Sequence, residues 1–375
     1  MTNPAFVPFE LEHYQSLYER TVAYNLADSS VKCVTTREWL NEDEIERVLD
    51  TGLFYPEVNG TTLLRESIAS LYPNATAANI LVTVGASQAN AMVCETLLSP
   101  GDEVVVMTPG YRQVWGTARN MGCVVRDLPL RADNNWRIDL AALDTVITPR
   151  TKLVAIVNPN NPTGTILTDH EMRALVDACA RVGAWLHVDE VYHGTEHAGV
   201  APTPTFWGMY DRLICTNSLS KAYGLSGLRI GWAITTPAIA DELWRRHEYA
   251  VIAAAAPSMT MAEIAMVPAK RQMLLERQKM ITQAGMVEMR AWLQGQVGRF
   301  SLGPTQATSI AFVRVHHDAS SYDVAEHIRQ TVNVLVAPGS TLGVEGHLRI
   351  TVGYEAEKVR NALKLIGQAV ATLPR

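Results

Sequence analysis

The sequence predicts an α/β protein built on a mostly parallel, seven-stranded sheet flanked by helices, with a smaller α+β domain towards its C-terminus. Three features of the 375 residues lead there. From about residue 62 to 235, short apolar runs alternate with amphipathic helical patterns. Several of those runs are apolar at every position, as strands covered on both faces are. Beyond Pro268 the pattern changes to one long helix, followed by a run of strands and helices, which is how an α+β unit reads.

Taken in order, residues 11–24 suit a first helix. The sheet strands are expected at 80–84, 103–108, 123–130, 152–158, 184–190, 213–217 and 229–235, with helices at 87–98, 169–182 and 237–250 between them. The stretch 269–293, rich in Met, Leu, Gln, Glu and Arg, reads as the long helix,. Strands are expected at 309–315, 332–337 and 347–352, and a closing helix at 354–373. The expected division is an N-terminal segment, 1–45, packing on the small domain, then a large ligand-binding domain, 46–275, and the small domain, 276–375.

Composition narrows the function. With 47% hydrophobic and 19% charged residues the chain is a folded globular protein,. Its 32 basic and 38 acidic residues give a formal net charge of −6, so no general attraction to nucleic acid or anionic membrane is expected. The uncharged stretch 249–262 is too short to cross a bilayer and contains Pro257,. Residues 1–12 lack a basic segment followed by an apolar run, so no secretory signal is expected. Cys33, Cys94, Cys123, Cys179 and Cys215 are odd in number, scattered and without a CxxC pair. They read as reduced thiols of a cytoplasmic protein, with no metal site.

Five local constellations carry chemistry. Ser218-Leu219-Ser220-Lys221-Ala222-Tyr223-Gly224 follows a buried strand, and Arg229 comes eight residues after the lysine. A desolvated lysine there can form a Schiff base with an aldehyde, while Arg229 and Ser218 suit a phosphate. Asp189, in Val188-Asp189-Glu190-Val191-Tyr192, ends another apolar run, at the strand edge where ligands bind open α/β sheets,. Asn158-Pro159-Asn160-Asn161-Pro162-Thr163-Gly164 fixes a tight loop after a third strand, and Asn161 can offer an amide donor,. Gly85-Ala86-Ser87-Gln88 opens a helix whose N–H groups can hold a phosphate,. Tyr111, after Pro109-Gly110, can stack on a planar ligand,. Alone, Lys221 also fits an exposed lysine and Asp189 a helix cap; their order along one chain favours a site. No GxGxxG or GxxxxGK[ST] is present, so dinucleotides and nucleoside triphosphates lack a matching cradle,.

Together these motifs resemble the class I/II aminotransferases, the fold-type-I enzymes that use pyridoxal 5′-phosphate. The resemblance rests on residues 158–164, 189–192 and 218–232 and extends over nearly the whole chain. It implies catalytic roles for Lys221, Asp189 and Tyr192: the Schiff-base lysine that also moves the Cα proton, the carboxylate on the pyridine nitrogen, and a donor to the ring oxygen. Asn161 would be the second such donor and also reach substrate, and Tyr111 the stacking ring. Gly85, Ala86, Ser87 and Gln88, with Ser218 and Arg229, would form the phosphate cup. Tyr55 would reach the phosphate of the neighbouring subunit, which implies a homodimer with shared sites. Arg349 stands where the family clamps the substrate α-carboxylate.

The stretch 24–31 lacks the glycine that ordinary members carry there. It is closer to a branch that includes capreomycidine synthase, which cyclises a hydroxylated arginine, and the SKAYGL-x-GLR run is shared with that branch. Glu10, Glu12 and Asp28 are candidates to pair with a guanidinium; the two glutamates also fit a solvated helix face. The resemblance therefore implies an aminotransferase that takes a free L-α-amino acid, through an external aldimine, to a 2-keto acid. The alternative is elimination, replacement or cyclisation of an arginine-type amino acid, or its oxidation. A regulator with an aminotransferase-like sensor would need an added DNA-binding domain, for which no segment remains.

Overall fold

A computed structural model describes residues 6–373 of the chain. It opens with α1 (Glu10–Tyr18) and the short strand β1 (Tyr24–Asn25), followed by α2 (Thr36–Trp39), α3 (Glu42–Leu49) and α4 (Thr62–Ala69). Side chains start two of these helices: Asn41 accepts from Glu44 N, and Thr61 from Leu64 N, which satisfies amides left free at a helix N-terminus. Next come β2 (Ile80–Thr83), α5 (Gly85–Leu97), β3 (Glu103–Thr108), α6 (Gln113–Asn120), β4 (Val124–Arg131) and β5 (Arg137–Ile138). Then follow α7 (Leu143–Val146), β6 (Thr151–Val157), α8 (Asp169–Val182), β7 (Trp185–Asp189), β8 (Leu213–Ser218), β9 (Gly231–Ile234) and α9 (Pro237–Ala250). α10 (Ala256–Met266) leads into the 27-residue α11 (Pro268–Gln294). The last elements are β10 (Phe300–Leu302), β11 (Ile310–Val315), α12 (Ser321–Val332), β12 (Val334–Leu335), β13 (Ala337–Pro338), β14 (His347–Thr351) and α13 (Ala356–Val370).

The large sheet has the order β2-β9-β8-β7-β6-β3-β4-β5. β4, β3, β6, β7 and β8 are mutually parallel; β9 runs antiparallel to both β2 and β8, and β5 antiparallel to β4. Strands β2, β3, β8 and β9 are buried at every residue, which is why 80–82, 104–107, 213–215 and 231–234 read as apolar runs. The register sets Val157 beside Asp189 and Asp189 beside Thr216. The carboxyl ends of β6, β7 and β8 therefore open side by side. From β3 the chain adds strands in one direction (β4) and then in the other (β6, β7, β8), so the crevice lies at a topological switch point.

The smaller sheet, β10-β11-β14-β13, is antiparallel. It shares a core with Met286 and Met289 of α11 and with Val359, Leu363 and Ile366 of α13. β1 pairs with β12, carrying Leu26 into that core.

Several expectations change in detail. The sheet has eight strands because β5 adds a two-residue edge, too short to show a period. The first helix ends at Tyr18, not at residue 24, because Ala23 N and Tyr24 N donate to Asn333 O and turn the chain into β1. Strand 332–337 is two short pieces, and β10 was not expected. α11 runs through the expected boundary at 275 without a break. Residues 36–45 do not lie on the small sheet: Trp39 and Leu40 are buried in the large core, α3 packs on α10, and Lys270 Nζ donates to Trp39 O at 2.7 Å. Residues 1–5 of the N-terminal segment lie outside the described residues.

Candidate active site

Lys221 lies three residues beyond the end of β8, inside a cavity of about 320 Å³ at the strand ends. Its Nζ donates to Ser29 Oγ at 2.9 Å and to Ser30 Oγ at 3.2 Å. Both serines belong to the segment after β1, so the N-terminal chain closes directly over the amine. Tyr192, buried one turn after β7, donates from its hydroxyl to Ser29 O at 3.3 Å.

Asp189 ends β7 on the cavity floor. Its Oδ2 accepts from Asn90 Nδ2 at 2.9 Å and its Oδ1 from Val191 N at 3.1 Å. Burial raises its pKa, against the lowering effect of those two bonds and of the Lys221 charge. A carboxylate so placed calls for a cation within the cavity.

A cup for an anion forms beside it. Gly85 has φ +74°, and a Cβ there would lie 2.2 Å from Arg229 Nη2, so only glycine lets the guanidinium in,. Arg229 is itself left-handed, at φ +54°. Its Nη2 donates to Ser87 Oγ at 3.3 Å and its Nη1 to Ser226 O at 3.1 Å. Ala86 and Ser87 open α5 towards the cavity and no side chain caps that helix, while Ser218 and Ser220 add hydroxyls,. Gln88 does not face the cavity. Its Oε1 accepts from Val84 N at 2.7 Å, so it holds the turn.

Tyr111 and Val191 line the cavity, and Val191 packs with Ala86 and Tyr192. Tyr111 donates to Glu12 Oε1 at 3.0 Å. Asn161 also lines it, and its Oδ1 accepts from Arg349 Nη1 at 3.2 Å. Arg349, on β14, is 1% exposed; its Nη2 donates to Ala27 O at 2.6 Å, and its Nε has no partner among the described residues.

The structure thus gathers Ala86, Ser87, Tyr111, Asn161, Asp189, Tyr192, Ser218, Lys221 and Arg229, with Gly85 beneath Arg229 and Arg349 behind Asn161. Besides Gln88, it does not bring in three others. Tyr55 is 80% exposed within the chain. Glu10 lines a neighbouring groove with Arg112. Asp28 Oδ1 accepts from Ser30 N at 3.0 Å, which shapes the loop that carries the serines. Sequence reasoning missed Ser29, Ser30, Ser220, Ser226, Val191 and Asn90. The serine pair stands within the stretch that departs from the family pattern, and Asn90 lies four residues after Ala86 on one helix face, so both had a signal.

These residues fit pyridoxal 5′-phosphate. The buried Asp189 suits a protonated ring nitrogen, the Gly85–Arg229 cup suits a phosphate, and the Lys221 amine suits an aldehyde. Residues 25–366 match the family described as aminotransferase class I and II. The chain belongs to that family. It is a fold-type-I enzyme whose cofactor is pyridoxal 5′-phosphate. Over 350 residues it is 28% identical to the arginine–pyruvate transaminase of Pseudomonas aeruginosa, covering 88% of this chain and 85% of that one. It is also 28% identical to capreomycidine synthase of Streptomyces vinaceus, covering 84% and 80%. A PLP-dependent aminotransferase from Streptococcus suis superposes over the whole of both chains with a TM-score of 0.91 and 29% identity. No described helix of this aminotransferase-family chain is long and apolar enough to cross a membrane.

Proposed function

We propose that the chain is an aminotransferase that exchanges the amino group of a free L-α-amino acid for the oxygen of a 2-keto acid. The observation that carries this reading is the convergence of an amine, a carboxylate and a guanidinium, Lys221, Asp189 and Arg229, on one cavity from separate strand ends. When bound, pyridoxal 5′-phosphate supplies an electron-withdrawing ring that stabilises Cα as its proton leaves. Asp189 holds the ring-nitrogen proton, and Arg229 with Ser87, Ser218 and the amides opening α5 holds the phosphate. Asn161 and Tyr192, whose hydroxyl would turn from Ser29 O, would donate to the ring oxygen, and Tyr111 would cover the ring. Lys221 Nζ, steered by Ser29 and Ser30, moves the proton at Cα. Arg349 pairs with the α-carboxylate: it is a buried cation beside Asn161 with an unpartnered Nε–H.

The enzyme works as a cytoplasmic homodimer in this reading. Tyr55 follows the exposed Leu53 and Phe54 in sequence, apolar side chains suited to burial against a second copy, whose phosphate Tyr55 would reach. All five cysteines are free thiols, which suits a reducing compartment,.

Glu12 favours a cationic side chain on the substrate, because Asp189, Lys221 and Arg229 are committed to the cofactor and Glu12 is the charged cavity residue left over. The same observation supports the second reading, elimination, cyclisation or oxidation of an arginine-type amino acid, since transaminase and cyclase relatives are equally similar. A single-turnover spectral scan of the reconstituted enzyme against free amino acids, including arginine and hydroxy-arginine, separates them. Amino transfer gives the amino form of the cofactor and an equivalent of 2-keto acid. The second reading predicts no net amino form and release of an eliminated or cyclised product, or, with O₂ as the electron acceptor, an oxidised one. Failure of every amino acid to yield the amino form overturns the aminotransferase reading.

A further inference from the structure

We infer that Asn90 is a positioning residue for the cofactor ring: with Thr216 and His187 it forms a one-way hydrogen-bond chain that ends on the Asp189 carboxylate. This rests on the reading of Asp189 as the partner of the ring nitrogen. His187 and Asp189 are alternate residues of β7 and so share one face of the sheet. Thr216 is the registered neighbour of Asp189 on β8, and α5, which packs against β7 and β8, brings in Asn90. The solvent exposure of Asn90 is 3%, of Thr216 0% and of His187 1%.

The direction of the chain follows from counting protons. Asn90 Nδ2 lies 2.9 Å from Asp189 Oδ2, so the amide presents N–H to the carboxylate and Oδ1 away from it,. Thr216 Oγ1 lies 2.7 Å from that Oδ1 and donates to it. The single hydroxyl proton is then used, so at 3.1 Å from His187 Nε2 the hydroxyl accepts, and Nε2 carries the ring proton,. Gln113 Oε1, 3.4 Å away, faces the second Asn90 N–H, and Gln113 Nε2 in turn donates to Ser87 O, which ties this amide to the phosphate end of the site. Each link polarises the next towards Asp189.

Burial opposes an ionised Asp189, whereas Asn90 and the Val191 amide favour it. Removing the Asn90 amide therefore weakens the anion's hold on a protonated ring nitrogen, whereas its long 3.4 Å contact with Gln113, at the phosphate end, affects any phosphate-bearing cofactor alike. Binding of two cofactors to the apoenzyme tests this: pyridoxal 5′-phosphate and its 1-deaza analogue, which has carbon at the ring-nitrogen position. Asn90→Leu is expected to raise the dissociation constant of pyridoxal 5′-phosphate by about tenfold, the scale of one hydrogen bond to a charged group, and that of the analogue by no more than about twofold. Thr216→Val is expected to repeat the selectivity at about threefold and Thr216→Ser to restore wild-type binding. This pair decides the matter if Asn90→Leu does not fold. Equal losses with both cofactors, or none with either, overturn the inference. Equal affinity of the wild-type enzyme for the two cofactors instead overturns the underlying role of Asp189.

Discussion

Nη1 of Arg349, on the small sheet, lies 3.2 Å from Oδ1 of Asn161, in the loop after β6 of the large sheet. The proposed carboxylate clamp is thus held from the cavity side. Lysine cannot reproduce the fork that reaches Asn161 and Ala27 together,. Arg349→Lys is expected to lower kcat/KM for amino acids by about 100-fold, mostly through KM, with the cofactor absorbance unchanged. Steady-state kinetics check this.

Glu12 accepts from Tyr111 and opens onto the cavity. Glu12→Gln keeps the size and removes the charge. It is expected to cost about tenfold in kcat/KM for arginine and to leave uncharged amino acids within about twofold. Equal effects on both classes would remove Glu12 from substrate recognition.

Burial lowers the pKa of His187 from its ordinary 6.5 to about 4. Between those values the unfolded chain binds a proton that the folded chain does not. Stability from this group is therefore complete above pH 6.5 and lost as pH falls towards 4, on the order of 3 kcal/mol. Denaturant unfolding of the apoenzyme at pH 7 and 4.5 is expected to show that fall in the wild type, and a shallower one in His187→Gln, which keeps an N–H donor but has no ring to titrate.

Tyr55 is 80% exposed, which suits the proposed role in a second subunit. Lys221→Ala and Tyr55→Ala chains, each inactive or weak alone, are expected to regain activity when refolded together. In the mixed dimer one site then has both an intact lysine and its partner's intact tyrosine. No recovery in a mixed dimer confirmed by sedimentation would place Tyr55 outside the partner's site.

The parts of the site that sequence made legible are those where chemistry and geometry are local. Lys221, Asp189 and Asn161 each sit at or just after the carboxyl end of a strand with an apolar run in it, so the run that predicts the strand also predicts the placement. The helix face puts Asn90 on the side of Ala86, but its partners on β7 and β8 lie about 100 residues or more away, and pairing across a sheet leaves no local period to name them. Gln88 belongs to the expected motif, yet its amide turns back to Val84, a choice that only the turn geometry makes. The first helix was overextended because propensity does not register Asn333 O, which captures two amides and starts β1 instead,. β5 and β10, of two and three residues, are too short to show alternation.

The central claim is a covalent one, and borohydride reduction of the enzyme reconstituted with pyridoxal 5′-phosphate, followed by peptide mapping, tests it directly. The account predicts one stable pyridoxyl adduct per chain, on Lys221, and none in Lys221→Ala. A colourless protein with no adduct, or an adduct on another lysine, would contradict it.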